Sequence, residues 1–387
     1  MTPEALAGIK VIEFARFAAG PYCGKLMAGL GAETVKVEKP SSGDSGRNRA
    51  GFLYLNTNKL SVTVNTGHPL GKRIFLKLIN TADVLISDKT EQEMAQFGLE
   101  YAELRRLNPH LIITCITPFG LTGPYKDFKS FYLNTYHASG LGYLIPVSQD
   151  LSREPIKLGG FSGECACGVS AAVATLGALF WKRITGKGQL IDVSQQEALI
   201  SMNRPQAARY PNEGIIPTRV EVPAGTGGLW PCKDGHVVAI FADGRQWKSF
   251  VELMDNPAWA TTEYEELSYR AVRDSETKPL IGAWMLEHTR EEIFQKGQAL
   301  GCPVSPVLSP EEVIEFPQFQ ARGFFTSIEQ HHYGKVTFPG SPFKLSASPW
   351  SAAKTAPKLG QHNTEIYSKR LGYSVQEMDE LYQEGII

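Results

Sequence analysis

Residues 157–168 read KLGGFSGECACG. One carboxylate, Glu164, stands between a glycine-rich run and the small residues that open a long helical segment. An ionised carboxylate at that point suits a nucleophile. A helix N-terminus favours the negative charge, and Gly159, Gly160 and Gly163 let a substrate approach the backbone. The same position also suits a plainer task, in which the charge of Glu164 only favours the helix start. Cys165 and Cys167 follow at once and read as small buried residues. Cys-Ala-Cys is too short for a zinc knuckle, and Cys23, Cys115, Cys232 and Cys302 are scattered. With no paired metal spacing, no metal is expected.

The bulk of the sequence narrows the partners. Charged residues make up 20% of 387 positions and the formal net charge is -1. No block of like charge favours a nucleic acid, so the expected partners are small molecules or protein surfaces. Scattered free thiols suit the cytoplasm. MTPEALAGIKVIEF lacks the basic start and long apolar core of a signal peptide. The most apolar stretch, GVSAAVATLGALFWK (168–182), is shorter than the roughly 20 residues that span a bilayer. Its small residues predict a buried helix packed on other backbone, and no membrane partner is expected.

The elements that must position Glu164 follow from hydrophobic periodicity. IKVIEF (9–14), ETVKVEK (33–39), KLSVTVNT (59–66), DVLIS (83–87) and HLIITCITPFG (110–120) read as strands. Helical patterns at 21–31 and 69–82 alternate with them. This order predicts an α/β sheet with parallel pairs. FARFAAGP (14–21) has a single glycine, so the dinucleotide fingerprint is missing and NAD is set aside. Pro205, Pro211, Pro217 and Pro223 mark a linker at 206–224. LWPCKDGHVVAIFA (229–242) reads as a hairpin turning at Asp234-Gly235. Helical patterns at 245–254 and 280–300 complete a small α+β domain, 225–324. The large domain is expected from 1–205 together with 325–387, which ends in one helix over 364–385.

Taken in order, these segments resemble the class III CoA-transferases. The likeness is carried by LAGIKVIEFARFAAGPYCGKLMAGLGAETVKVEKPSSGDSGR (6–47), NTNKLSVTVNT, ADVLISD, RRLNPHLIITCITPFGLTGPY, SGECACGVSAAVATLGALFWKRITGKGQLIDVS, DGHVVAIF and GCPVSPVLSPEEVIEFPQFQARGFF. It runs nearly the whole chain. The resemblance implies a Rossmann-like large domain built from both chain ends, a smaller domain, and two chains interlocked like links. It implies acyl-CoA as substrate, with no bound cofactor. In that family an aspartate attacks the thioester and a mixed anhydride forms; CoA is then carried on the enzyme carboxyl to the incoming acid.

The same resemblance assigns the site. The family's Gly-Asp pair falls on Gly163-Glu164, so Glu164 holds the nucleophile position with one extra methylene. A helper carboxylate falls on Tyr132, whose phenol is a poor base at neutral pH; His137 is an alternative acid or base. The CoA-binding segments fall on Arg16, Phe17, Ala18, Lys39, Arg47, Asp88 and Lys89. Ala18 replaces a glutamine of formyl-CoA transferase. Asp88-Lys89-Thr90-Glu91-Gln92 replaces Asn-Phe-Arg-Pro-Gly, which removes a phosphate partner. Lys36 and Arg49 are further cations for the 3′-phospho-ADP part of CoA. These departures together imply a catalytically degenerate subunit, paired with a paralogous chain that carries the aspartate. The heteromeric succinyl-CoA:benzylsuccinate CoA-transferases of anaerobic aromatic breakdown are the specific type expected. An active homodimer using Glu164, or an acyl-CoA racemase or isomerase, are the alternatives.

Overall fold

The computed structural model describes residues 4–147, 152–219, 225–330 and 334–387. The chain divides into two compact units. Among the described residues the first takes in everything through Pro146, then 152–219, and everything from Gly323 onward; the second takes in Val147 and 225–322.

The first unit is built on β1 (Lys10–Phe14), α1 (Ala19–Gly29), β2 (Glu33–Glu38), α2 (Ala50–Leu55), β3 (Leu60–Thr63), α3 (Pro69–Asn80) and β4 (Val84–Ser87). It continues through α4 (Glu91–Gln96), α5 (Tyr101–Leu107), β5 (Ile112–Thr117), α6 (Tyr132–Ala138), α7 (Ser162–Thr185), β6 (Leu190–Ser194), α8 (Gln195–Ile200) and α9 (Arg204–Glu213). The six strands form one sheet in the order β3-β2-β1-β4-β5-β6, and every pairing is parallel. A parallel sheet needs cover on both faces, and its strands are correspondingly apolar on both. Ile12, Val35, Leu85 and Ile113 pack with Phe75 and Ile79 of α3 on one side. Val11, Val84, Ile86 and Ile112 pack with Met27 of α1 and Ala171 of α7 on the other.

The strand order reverses between β1 and β4. In an open α/β sheet such a switch point opens a crevice at the carboxyl ends of the strands, where ligands bind. Here the residues after β1 and β4 meet: the Arg16 backbone N–H donates to Asp88 Oδ2 at 2.8 Å.

Helix α7 is anchored to the sheet by Thr175, whose hydroxyl lies 2.7 Å from that of Thr114 on β5. It crosses α1 so closely that a Cβ at Gly168 would stand 2.7 Å from the Ala19 carbonyl oxygen. The expectation of a buried helix holds for one face. On the other, Val169, Val173, Phe180, Trp181 and Ile184 are 44–68% exposed. By length and composition alone α7 is apolar enough to cross a membrane, with mean hydropathy 1.5; its packed face is the sheet-facing one.

The second unit holds a three-stranded sheet, β7 (Gly227–Cys232), β8 (Gly235–Ile240) and β9 (Val304–Pro306). Six helices lie within it: α10 (Gly244–Leu253), α11 (Leu267–Val272), α12 (Asp274–Glu287), α13 (Arg290–Ala299), α14 (Pro310–Glu315) and α15 (Pro317–Ala321). Trp247, Phe250 and Ile293 lead its core. The hairpin turns one residue earlier than expected. Cys232 pairs with Gly235, which leaves Lys233-Asp234 as the loop and Gly235 as the first residue of β8.

Two long helices of the sequence reading are broken in the structure. The 280–300 pattern splits between α12 and α13, because Thr289 caps α13 in a reciprocal box with Glu292. The first unit's C-terminal part adds the hairpin β10 (Phe325–Gln330) and β11 (Gly334–Pro339) and the helix α16 (Val375–Gln383). The 364–385 pattern splits into a π-helical turn, Thr364–Arg370, and α16, started by Ser374 and Glu377 in the same way. Part of the expected linker is helical, since α9 covers 204–213. Pro205 stands in its first turn, where a missing N–H costs nothing, and Arg209 pairs with Glu213 at 3.2 Å. Residues 220–224 of that stretch lie outside the described residues.

Candidate active site

Glu164 lies in the first turn of α7 and is 5% exposed. Its Oε2 has no hydrogen-bond partner among the described residues. Burial raises its carboxyl above the ordinary value; its own backbone amide and Lys157 pull the other way without restoring it. Desolvation of this kind disfavours the ionised form that a nucleophilic attack requires.

Tyr132 opens α6 and reaches the same point. A Cβ at Gly163 would sit 1.2 Å from the Tyr132 hydroxyl, so a glycine is required for the two helices to meet. That hydroxyl is also buried without a partner among the described residues. Burial, with Glu164 adding to it, pushes the phenol further from ionisation. The structure therefore brings Tyr132 and Glu164 together across Gly163. His137 packs elsewhere, against Gly142 and across the Tyr136 ring at 5.7 Å.

The neighbouring thiols are inert at neutral pH. Burial and the adjacent Glu164 push Cys165 up to about 11 and Cys167 up to about 12. Among the described residues no group of three His, Cys, Asp or Glu side chains could hold a metal ion.

Sequence reasoning passed over Lys157, although it begins the quoted run. Its ammonium lies 4.8 Å from the centre of the Tyr132 ring and donates to the carbonyls of Leu158 and Gly160 at 2.9 and 3.1 Å. A lysine seven residues before the carboxylate, just ahead of a Gly-Gly pair, was the available signal. Phe161, also passed over, is the N-cap residue of α7 and meets Phe17 edge-on at 6.4 Å. With Phe17, Ala18, Arg49, Phe52 and Leu55 it lines a small apolar recess. Phe17 holds φ at +66°, a left-handed backbone rare for a bulky residue, and strain of that kind clusters at functional sites.

Arg16, Lys39 and Lys89 gather in a second place. They line a solvent-open crevice of about 980 Å³ at the carboxyl ends of β1, β2, β3 and β4, the switch point of the sheet. Arg16 and Lys39 are exposed. Lys89 is buried and pairs with Asp88, and its backbone carbonyl accepts from the Tyr101 hydroxyl at 2.6 Å. Thr90 and Glu93 form a capping box for α4, so the 88–92 segment is a rigid helix entry.

Two expected phosphate partners are occupied. Arg47 forks onto Glu38, and its third nitrogen donates to the Pro357 carbonyl at 3.0 Å. Lys36 is fully buried between Glu13 and Asp44, each at 2.9 Å. Neither faces the crevice as a free cation, because each compensates a buried carboxylate inside the fold.

Comparison with known proteins gives the family. The family described as CoA-transferase family III matches residues 6–363. The chain is 28% identical over its full length to a succinyl-CoA–D-citramalate CoA-transferase of Chloroflexus aurantiacus, covering 98% of that protein. It is 29% identical to the BbsE subunit of the succinyl-CoA:(R)-benzylsuccinate CoA-transferase of Thauera aromatica, covering 95% of each chain. A solved CAIB/BAIF family protein from Brucella suis superposes with a TM-score of 0.83 at 27% identity, over 95% of this chain and 99% of that one.

Proposed function

Because this chain belongs to CoA-transferase family III, we propose that it serves as the non-catalytic subunit of a heteromeric enzyme that moves CoA between carboxylic acids. A paralogous chain of the same family supplies the aspartate that carries the acyl group. The observation that carries this reading is the setting of Glu164: buried, without an ion pair among the described residues, one carboxylate oxygen unpartnered there, and its ionised form disfavoured by burial. An attacking carboxylate must be ionised, and the longer side chain moves its oxygen by about a bond length, enough to cost on the order of 100-fold.

Substrate binding remains a task for this chain. The crevice at the switch point, with Arg16 and Lys39 at its rim, suits the phosphates and adenosine of CoA. Succinyl-CoA is the proposed donor and a substituted succinate the acceptor, on the strength of the relatives' names. The exposed apolar face of α7 gives a partner chain something to cover, in keeping with an interlocked pair.

The test is where the acyl group goes. The chain purified alone, given succinyl-CoA, is expected to transfer nothing. Co-purified with its partner and trapped with hydroxylamine or borohydride during turnover, the modified residue should be an aspartate of the partner. The second reading, an active homodimer, is favoured by the placement of Glu164 at the start of α7; a trapped adduct on Glu164 in the pure chain would establish it instead.

A further inference from the structure

The turn between β1 and α1 carries Arg16 and Phe17, and its backbone is tied down residue by residue. The Ala15 carbonyl accepts from the Lys36 ammonium at 2.9 Å. The Arg16 N–H donates to Asp88 Oδ2 at 2.8 Å. The Phe17 N–H is drawn to Asp44. Burial would raise the Asp44 carboxyl, but Lys36 and the N–H groups of Gly46 and Phe17 hold it below its ordinary value. Lys36 and Asp44 also pair with each other at 2.9 Å. One ion pair therefore brackets the turn, its cation on a carbonyl and its anion beside an amide two residues on. Asp44 is itself fixed by its own N–H, which donates to Glu38 Oε1 at 2.9 Å.

A hold of this kind has a task. Phe17 has φ +66°, a backbone that disfavours a bulky L residue by on the order of 10-fold. Glycine would sit there freely; a phenylalanine stays only where its surroundings over-determine it. The turn also divides two cavities. Arg16 lines the crevice at the switch point, while Phe17 lines the apolar recess with Phe161 and Arg49. A relaxed backbone at Phe17 would re-aim both side chains. We propose that Asp44 is a positioning residue for CoA binding: with Lys36 it holds Phe17 in its left-handed backbone, and so sets Arg16 at the crevice and Phe17 at the recess. This rests on the reading above that the crevice takes CoA.

Asp44 acts through the turn and not by contact. Its side chain is 1% exposed and that of Lys36 is wholly buried. A buried ion pair adds little net stability, but it can specify one conformation. Direct electrostatics predicts the opposite sign. Asp44 is an anion in the wall of a crevice proposed for phosphates, so losing its charge alone would strengthen CoA binding. Positioning predicts a loss.

The experiment is calorimetric titration of the purified full chain with CoA. Asp44→Asn should weaken binding by about 10-fold, the size of the strain that the bracket offsets. Phe17→Asn supplies a residue that enters the left-handed region more readily. In that background Asp44→Asn should cost less than about 2-fold, because the turn no longer needs the hold. A merely structural loss would be the same in both backgrounds. Urea midpoints show which variants fold. If Asp44→Asn does not, Asp44→Glu takes its place, since it keeps the charge and displaces the oxygens. Equal losses in the two backgrounds, no loss, or tighter binding overturns the proposal. Arg16→Ala and Lys39→Ala test the reading beneath it. If both leave CoA affinity unchanged, the crevice is not the CoA site, and the reading fails with the proposal. If they weaken binding and the Asp44 variants do not, the proposal alone fails.

Discussion

Two places in the first unit bury carboxylates, and they treat them in opposite ways. Beneath the carboxyl ends of β1 and β2, Glu13 is fully buried but lies 2.9 Å from Lys36 and 2.6 Å from Lys59. Asp44 is equally shielded and pairs with Lys36 at 2.9 Å. Burial alone would raise its carboxyl, yet Lys36 and the Gly46 amide bring it below the ordinary value. At the start of α7, Glu164 is as well hidden and has no cation within ion-pair distance among the described residues. The difference separates structure from function. Where the fold buries a charge for its own sake it supplies the opposite one; at the position proposed for the site it does not.

The largest effect should come from breaking the compensated cluster. Burial pulls Lys36 down, but Glu13 and Asp44 together hold it above its ordinary value. Lys36→Met leaves Asp44 buried without its cation and Glu13 with Lys59 alone, which should cost about 3–5 kcal/mol. The urea midpoint of the variant measures this. A midpoint within error of wild type would show that the cluster is not a unit.

A smaller effect with the opposite sign is expected one helix away. The three buried lysines of this region form a series. Lys36 has two carboxylate partners and is raised; Lys59 has one and is lowered by burial to about 8; Lys25 has none and is lowered by burial, with Lys59 adding to it, to about 7. The Lys25 amine donates to the Thr57 hydroxyl at 2.7 Å and lies 4.3 Å over the Tyr54 ring. Its folded pKa lies below the unfolded 10.5, so the unfolded state holds the extra proton between about 7 and 10.5 and stability rises with pH across that window. Lys25→Met removes this burden. It should stabilise the protein by about 1–4 kcal/mol at and below pH 7, with the gain fading toward pH 10.5. Paired denaturation curves at pH 6.5 and 9.5 give the comparison; a destabilised variant at pH 6.5 would contradict the series.

The sheet was legible because a parallel sheet writes itself as apolar runs: VIEF, TVKV and VLIS lie in β1, β2 and β4. The helix breaks were missed although their signals were present. Thr289 with Glu292 and Ser374 with Glu377 each spell the three-residue spacing of a capping box. Lys36 was misread as a phosphate partner because period-2 alternation puts it on a strand face without saying what lies opposite; Glu13 is distant in sequence and only the β1–β2 register brings them together. The Glu164–Tyr132 meeting was legible only through family resemblance. Nothing in the spacing of two helices 30 residues apart announces that Gly163 lets them touch.

The smallest effect should appear at Glu164 itself, and it tests the uncompensated half of the contrast. Its folded pKa is raised by burial. The native state then holds a proton that the unfolded chain releases above about 4.5, so the contribution to stability is full below that value and is lost as pH rises through the raised one. Glu164→Gln keeps the shape and cannot ionise. The two proteins should unfold at similar urea concentrations at pH 4.5, and the variant should gain on wild type toward pH 8, by on the order of 1 kcal/mol. The gain stays modest because Lys157 and the residue's own amide already ease ionisation. If wild type gains on the variant as pH rises, Glu164 is a compensated carboxylate, paired as Glu13 is with Lys36 and Lys59, and the distinction between the two regions is lost.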